Sequence, residues 1–276
     1  MMSVQRSSLE PLKHVVVTTF HEAGYLEYGK KCVETFLEKW PSNVELIVYA
    51  EDVDVQETGP NLTVLDHTAV LPKLIEFRNR FGSNPYANGF SPHGDGKFDF
   101  FWDAIRFTNK VFAVTDAIRR TKGTADQLIW LDADTVTHSR LPGSFLDKLA
   151  PRDTQLATYL NRKNYPECGW VGYNLKHEFI DEFTRRFEEI YLSGEFLRIE
   201  ESHDSYIFWK IVQDMEKEGL ATFYHIGDAT TVGHVFINSA LGAYLDHLKG
   251  PRKALGQSRP GDLKVLRKES WWKNAG

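Results

Sequence analysis

Apolar and polar positions along the first two-thirds of this chain switch repeatedly between strand and helix periods. Residues 14–20, His-Val-Val-Val-Thr-Thr-Phe, form a β-branched run that predicts a buried strand. Residues 24–40 predict a helix stopped by Pro41. Strands are expected at 44–49 and 62–65 and a helix at 71–81, followed by a Gly-, Pro-, Asn- and Ser-rich loop over 82–96. That loop is long enough to be functional rather than a simple connector. Residues 102–120 predict a strong helix, because Ala104, Phe107, Val111, Val114 and Ile118 fall on one face. The apolar run Gln127-Leu128-Ile129-Trp130-Leu131 predicts a fourth strand.

Strands alternating with helices imply an α/β fold with a mostly parallel, doubly wound sheet. Such sheets bind ligands beyond the carboxyl ends of their strands. Asp132 and Asp134 lie at one such end, and Thr18, Thr19 and His21 at another, so one site is expected to gather them. The remainder reads as mixed: strands at 155–160, 169–173 and 221–225, and helices at 178–192 and 204–218. A short helix is expected over 238–248, running into His247-Leu248-Lys249-Gly250-Pro251-Arg252-Lys253. Residues 254–276 form a polar, basic tail apart from Trp271-Trp272. No internal repeat or low-complexity tract interrupts the pattern.

With 276 residues, the chain suits one large domain or a domain with a small appendage. A net charge of −5 argues against a protein whose main affinity comes from neutralising nucleic-acid phosphates. Two cysteines, Cys32 and Cys168, make a disulfide framework unlooked for. No run of eighteen apolar residues occurs and residues 1–11 carry no apolar signal core, so a cytoplasmic protein without an integral membrane segment is expected.

The candidate chemistry centres on Asp132-Ala133-Asp134. Two carboxylates one residue apart, where a buried strand emerges, can hold a divalent cation, and the cation can hold a diphosphate. The triplet alone is weak: Asp52-Val53-Asp54 has the same spacing in an acidic, polar stretch that reads as a solvated loop. The simpler alternative is that Asp132 or Asp134 caps a turn. His247-x-x-Gly250-x-x-Lys253 adds an imidazole for a metal, a glycine for close backbone approach and a cation for phosphate. An oxygen-rich site with some imidazole suits Mn²⁺ or Mg²⁺.

Together, Leu131-Asp132-Ala133-Asp134-Thr135 and His247-Leu248-Lys249-Gly250-Pro251-Arg252-Lys253 resemble the motifs of glycosyltransferase family 8, the glycogenin and galactosyltransferase group. The resemblance implies a GT-A fold, a nucleotide-sugar donor (UDP-sugar favoured), Mn²⁺ and transfer with retention. It implies Asp132, Asp134 and His247 as metal ligands and Gly250 and Lys253 as diphosphate contacts. It further implies base or ribose contacts at Thr18 and Thr19, and donor-facing basic residues at Arg106 and Lys110, whose alternative is a solvated helix face. A sugar-pocket segment falls at Cys168 to Asn174 with Gly169 and Gly172, where the glycines could equally mark a bulge or close packing. A substrate role falls to Asp204, which could instead be an N-cap, as could Ser202. Ala254-Leu255 stands where the family has Pro-Trp, and Ser205 where it has glutamine, so a divergent relative is expected.

Residues 1–253 are accordingly expected to form a single domain, with 14–135 as nucleotide-binding half and 136–253 as sugar and acceptor half. The acceptor is open among a glycan, a protein, a small molecule and a modified nucleobase. The competing readings are a metal-dependent hydrolase or nucleotidyltransferase on a similar sheet, which would need more converging carboxylates, and a non-catalytic nucleotide-sugar binding module.

Overall fold

A computed structural model describes residues 11–92, 94, 96–227 and 233–273. The expectations for residues 1–10 and 274–276, and for parts of the 82–96 loop, lie outside the described residues.

Strand β1 (His14–His21) leads through a helical turn at Glu22–Gly24 and a π-helical turn at Tyr25–Gly29 into helix α1 (Lys30–Lys39). Trp40 takes an extended backbone, because the following Pro41 drives it out of the helical region. Next come β2 (Glu45–Glu51), β3 (Leu62–Asp66) and α2 (Pro72–Phe81). Helix α3 (Ala104–Thr121) then feeds β4 (Gln127–Leu131). A short strand β5 (Thr135–Thr137) and helix α4 (Gly143–Leu149) precede β6 (Gln155–Leu160) and β7 (Glu167–Asn174). Helices α5 (Ile180–Leu192) and α6 (Asp204–Lys217), strands β8 (Thr222–Ile226) and β9 (Leu245–His247) and a helical turn α7 (Arg252–Leu255) complete the framework.

Seven strands form one sheet in the order β3-β2-β1-β4-β7-β6-β8. Strands β1, β2, β3 and β4 pair in parallel, as do β6 and β8, while β7 runs antiparallel to both its neighbours. The α/β class expected from the strand–helix alternation is therefore the one found. Side chains alternate between two cores, as the two-residue period of a strand demands. Val15, Val17, Ile47, Tyr49, Leu128 and Trp130 face one core, with α2, α3, α5 and α6. Val16, Phe20, Leu46, Val48, Ile129 and Leu131 face the other, with α1 and α4. Both faces are thus covered, which is why the strands read as continuous apolar runs.

The sheet order reverses at β1: the chain moves outward to β2 and β3, then returns to place β4 on the other side. A crevice opens at such a switch point, beyond the carboxyl ends of β1 and β4.

The helix expected over 238–248 is not present. Val235–Asn238 is helical, Ala240–Ala243 is a 3-10 turn, and Leu245–His247 is strand β9, paired antiparallel with β5 in a two-stranded ribbon. Here tertiary pairing overrides local helical periodicity. The tail after Leu255 folds back on the second core, where Trp272 is buried. Among the described residues, no helix is long and apolar enough to cross a membrane.

Candidate functional site

The ribbon explains how residues far apart in sequence meet. Asp132 and Asp134 sit between β4 and β5, and Thr135 pairs with His247 on β9. The Leu248 N–H donates to the Asp134 carbonyl at 2.7 Å and locks the two segments together. The His247 Nε2 atom lies 3.0 Å from Asp134 Oδ1 and 3.5 Å from Asp132 Oδ2. Lys253 Nζ stands 3.2 Å from Asp134 Oδ2 and 4.3 Å above the Tyr28 ring. The Asp52-Val53-Asp54 triplet lies in a stretch without regular structure, and both its aspartates are exposed.

These groups line a cleft of about 610 Å³ along the carboxyl edge of the sheet. Thr19, His21 and Glu51, from the ends of β1 and β2, line it. Phe100, Phe101, Phe107, His203 and Asp204 also line it, with Arg162, Glu167 and Lys249.

Among the residues singled out from sequence, Thr19, Arg106, Lys110, Asp132, Asp134, Asp204, His247, Gly250 and Lys253 line this cleft. Lys110, on α3, is the hub: its Nζ lies 3.3 Å from Asp132 Oδ1 and 2.7 Å from Asp204 Oδ2, and donates to the Cys168 carbonyl at 2.6 Å. Arg106, one turn earlier, places its guanidinium 5.1 Å from the Phe100 ring centre. Asp204 does not cap α6; His203 does, accepting from the Tyr206 N–H through Nδ1. The Asp204 carboxylate is thereby left to Lys110 and the cleft. Gly250 adopts φ +64° with open space where a Cβ would stand, so it is the left-handed turn that requires glycine there.

Others are placed otherwise: Thr18, Gly169 and Gly172 lie outside the lining, and of the segment expected at a sugar pocket, residues 168–174, Cys168 lines the cleft. Thr18 is fully buried, does not line the cleft, and has an Oγ1 without a hydrogen-bond partner. Gly169 also lies outside the lining; a Cβ there would come within 2.8 Å of His247 Cε1, so its bare backbone makes room for the imidazole. Its carbonyl accepts from the Asp132 N–H at 3.0 Å.

Sequence reasoning missed Glu167, Lys249, Arg162, His203 and Tyr28. Glu167 is the most telling: a buried carboxylate 3.1 Å from Lys249 Nζ and 3.5 Å from Arg162 Nη1. Its only trace in the sequence is an acidic residue opening an otherwise apolar strand, which a solvated strand end would show equally.

The electrostatics follow from burial competing with neighbouring charge. Burial pushes the Asp134 carboxyl up, but His247 and Lys253 outweigh it and hold the group well below the ordinary carboxylate range. Burial disfavours the charged Lys110, yet Asp132 and Asp204 keep it protonated beyond the usual lysine range. Burial likewise opposes a proton on His247, while Asp134, Asp132 and Glu167 favour one. Carboxylates that favour a proton on an imidazole equally favour a divalent cation beside it. Burial pushes the Cys168 thiol up to about 12, so it is not a nucleophile.

The donor atoms of Asp132, Asp134 and His247 lie within 4.8 Å of one another. Adjacent ligands on an ion with bonds of about 2.1 Å stand about 3 Å apart. The two imidazole–carboxylate spacings are of that size, and two oxygens with one nitrogen suit Mn²⁺ or Mg²⁺. The residues fit such an ion.

No known family model and no curated protein sequence matches the chain. Among solved structures, it is similar to mouse xyloside xylosyltransferase 1 in its apo form, at 11% identity over 78% of this chain and 85% of that one, with a TM-score of 0.47. It is similar to apo WbbM, a bifunctional glycosyltransferase, at 15% identity, 79% and 39% coverage and a TM-score of 0.43. It is also similar to the glycosyltransferase GlyE in Streptococcus pneumoniae TIGR4, at 14% identity, 78% and 45% coverage and a TM-score of 0.45. The chain thus spans less than half the length of the last two. At such identities the function must be read from the site's own geometry.

Proposed function

We propose that this protein is a cytoplasmic glycosyltransferase of GT-A type, binding a nucleotide-diphosphate sugar with Mn²⁺ or Mg²⁺ and moving the sugar to an acceptor. The carrying observation is the convergence of Asp132, Asp134, His247 and Lys253 on one point of the cleft, from segments more than a hundred residues apart. A sugar leaving a nucleoside diphosphate leaves negative charge on the diphosphate, and cations fixed in place beforehand stabilise it. The ion, held by Asp132, Asp134 and His247, would supply Lewis acidity toward a phosphoryl oxygen.

The chain's own residues would do the rest. The Lys253 ammonium, beside the metal ligands, would contact the diphosphate, and the open backbone of Gly250 would let it approach. Thr19, lining the cleft with His21, would contact the base or ribose, with UDP as the favoured nucleotide. Lys110 holds Asp132 and Asp204 in register, and Asp204 would accept hydrogen bonds from the sugar. Retention follows the family resemblance; the geometry assigns no covalent nucleophile. Phe100 and Phe101 line the cleft yet remain 43% and 47% exposed. Exposed aromatic faces beside charged hydrogen-bonding groups suit an acceptor with a flat, partly apolar ring face, so a sugar ring is the favoured acceptor.

A two-metal hydrolase or nucleotidyltransferase would need a second carboxylate cluster. Among the described residues the group with ligand spacing is Asp132–Asp134–His247, and Asp204 is engaged by Lys110.

The test is calorimetric titration of UDP, GDP, CDP and ADP, each with Mn²⁺ and with chelator. One nucleotide should bind tightly only with Mn²⁺, and Asp134→Ala should weaken that binding by at least about a hundredfold. Equal binding by Asp134→Ala, or no metal-dependent binding of any nucleotide, would sink the proposal.

A further inference from the structure

Asp246 is a fully buried carboxylate immediately before His247. Both residues lie on β9, where successive side chains point to opposite faces. His247 turns toward Asp132 and Asp134; Asp246 turns the other way, toward the tail. The hydrogen bonds given to its carboxylate among the described residues come from the tail. The Ser258 N–H donates at 2.8 Å, the Ser258 hydroxyl at 2.6 Å and the Trp271 Nε1–H at 3.0 Å. Trp271 is itself fixed, stacked on the His138 ring with centroids 5.3 Å apart and planes 8° apart.

The need for such a grip is visible in the ribbon. Strands β5 and β9 are three residues each and stand outside the seven-stranded sheet. A two-stranded element of that length is at best marginal by itself. Its rotation about the strand axis sets the direction of the imidazole, and the carboxylate one residue earlier is the natural handle on that rotation. Three donors converging on a buried charge hold it far more firmly than neutral contacts would.

We infer that Asp246 is a positioning residue: clamped by Ser258 and Trp271, it fixes β9 so that the His247 imidazole faces the two aspartates. The C-terminal tail thereby becomes part of the metal centre without touching it. This inference rests on the metal reading proposed above.

The test is Mn²⁺ affinity of the full chain without nucleotide, followed by the free-ion paramagnetic resonance signal well below the unfolding temperature. Ser258→Ala, Trp271→Phe and Asp246→Asn should each weaken Mn²⁺ binding by about tenfold, the scale of losing an outer partner of a metal ligand. Trp272→Phe removes a bond to the Gly242 carbonyl but none to Asp246, and should keep wild-type affinity. Wild-type affinity in Ser258→Ala and Trp271→Phe, or an equal loss in Trp272→Phe, would overturn the inference. Should Asp246→Asn fail to fold, the single-hydroxyl change at Ser258 decides. His247→Ala separates the two levels: wild-type Mn²⁺ binding in that variant would overturn the metal reading itself.

Discussion

Glu167 shows how one side chain can tie stability to the site. It is buried at the start of β7, and burial alone would raise its pKa, but Lys249, His247 and Arg162 lower it from 4.5 to about 2. A carboxyl with a lowered folded-state pKa contributes stability that is present above its unfolded value and lost as the pH falls toward the folded one. The window is therefore pH 4.5 down to about 2. The shift corresponds to roughly 3 kcal/mol at neutral pH. Urea unfolding of wild type and Glu167→Gln should show a wild-type advantage at pH 7 that shrinks markedly by pH 3; an advantage independent of pH would rule out the ion pairs as its source. At this scale the sequence was readable where a motif fixed both residue type and spacing, as at Asp132, Asp134, His247 and Lys253. It was not readable at Glu167 or Lys249, because a lone charged residue looks the same whether it is solvated or turned inward.

Among the elements, the β5–β9 ribbon matters most, and α1 helps to hold it. The Thr35 hydroxyl accepts from the Thr137 N–H at 3.1 Å, and Trp40 Nε1 donates to the Thr137 hydroxyl at 2.8 Å. Thr35→Val keeps the shape but leaves the buried Thr137 N–H unpaired. It should cost about 1–3 kcal/mol in chemical unfolding. Protection of the Thr137 amide from hydrogen exchange should fall with it; unchanged stability and exchange would show that the contact carries no weight. The ribbon is also where sequence reading failed at the level of elements. Residues 238–248 have a helical composition, and three-residue strands carry too little periodicity to compete with it. What makes Leu245–His247 a strand is its partner, Thr135–Thr137, more than a hundred residues away. Longer elements, such as α3 and β4, were legible because burial on a sheet or helix face imposes a sustained pattern.

For the molecule as a whole, the doubly wound sheet opens a crevice at the β1–β4 switch point, and the residues proposed to bind the donor line it. A ligand that binds only the folded state raises stability by mass action, about 2.7 kcal/mol at a hundred times its Kd. Mn²⁺ with the preferred nucleotide should therefore raise the melting temperature by several degrees. Chelator should abolish the rise, and Asp134→Ala should not show it; a nucleotide-induced rise that survives chelation would separate binding from metal. The sequence by itself determined the α/β class and the carboxyl-edge location of the D-x-D, and it singled out Asp132, Asp134, His247 and Lys253, which the fold brings together. Those follow from local periodicity and from motifs whose chemistry is written in a few adjacent positions. Only the tertiary structure decided that His247 reaches the aspartates from a strand rather than a helix, that Gly169 makes room for its ring, and that the tail grips Asp246. Each of these depends on which distant segments pack together, and packing is set by the summed burial of the whole chain rather than by any stretch of it.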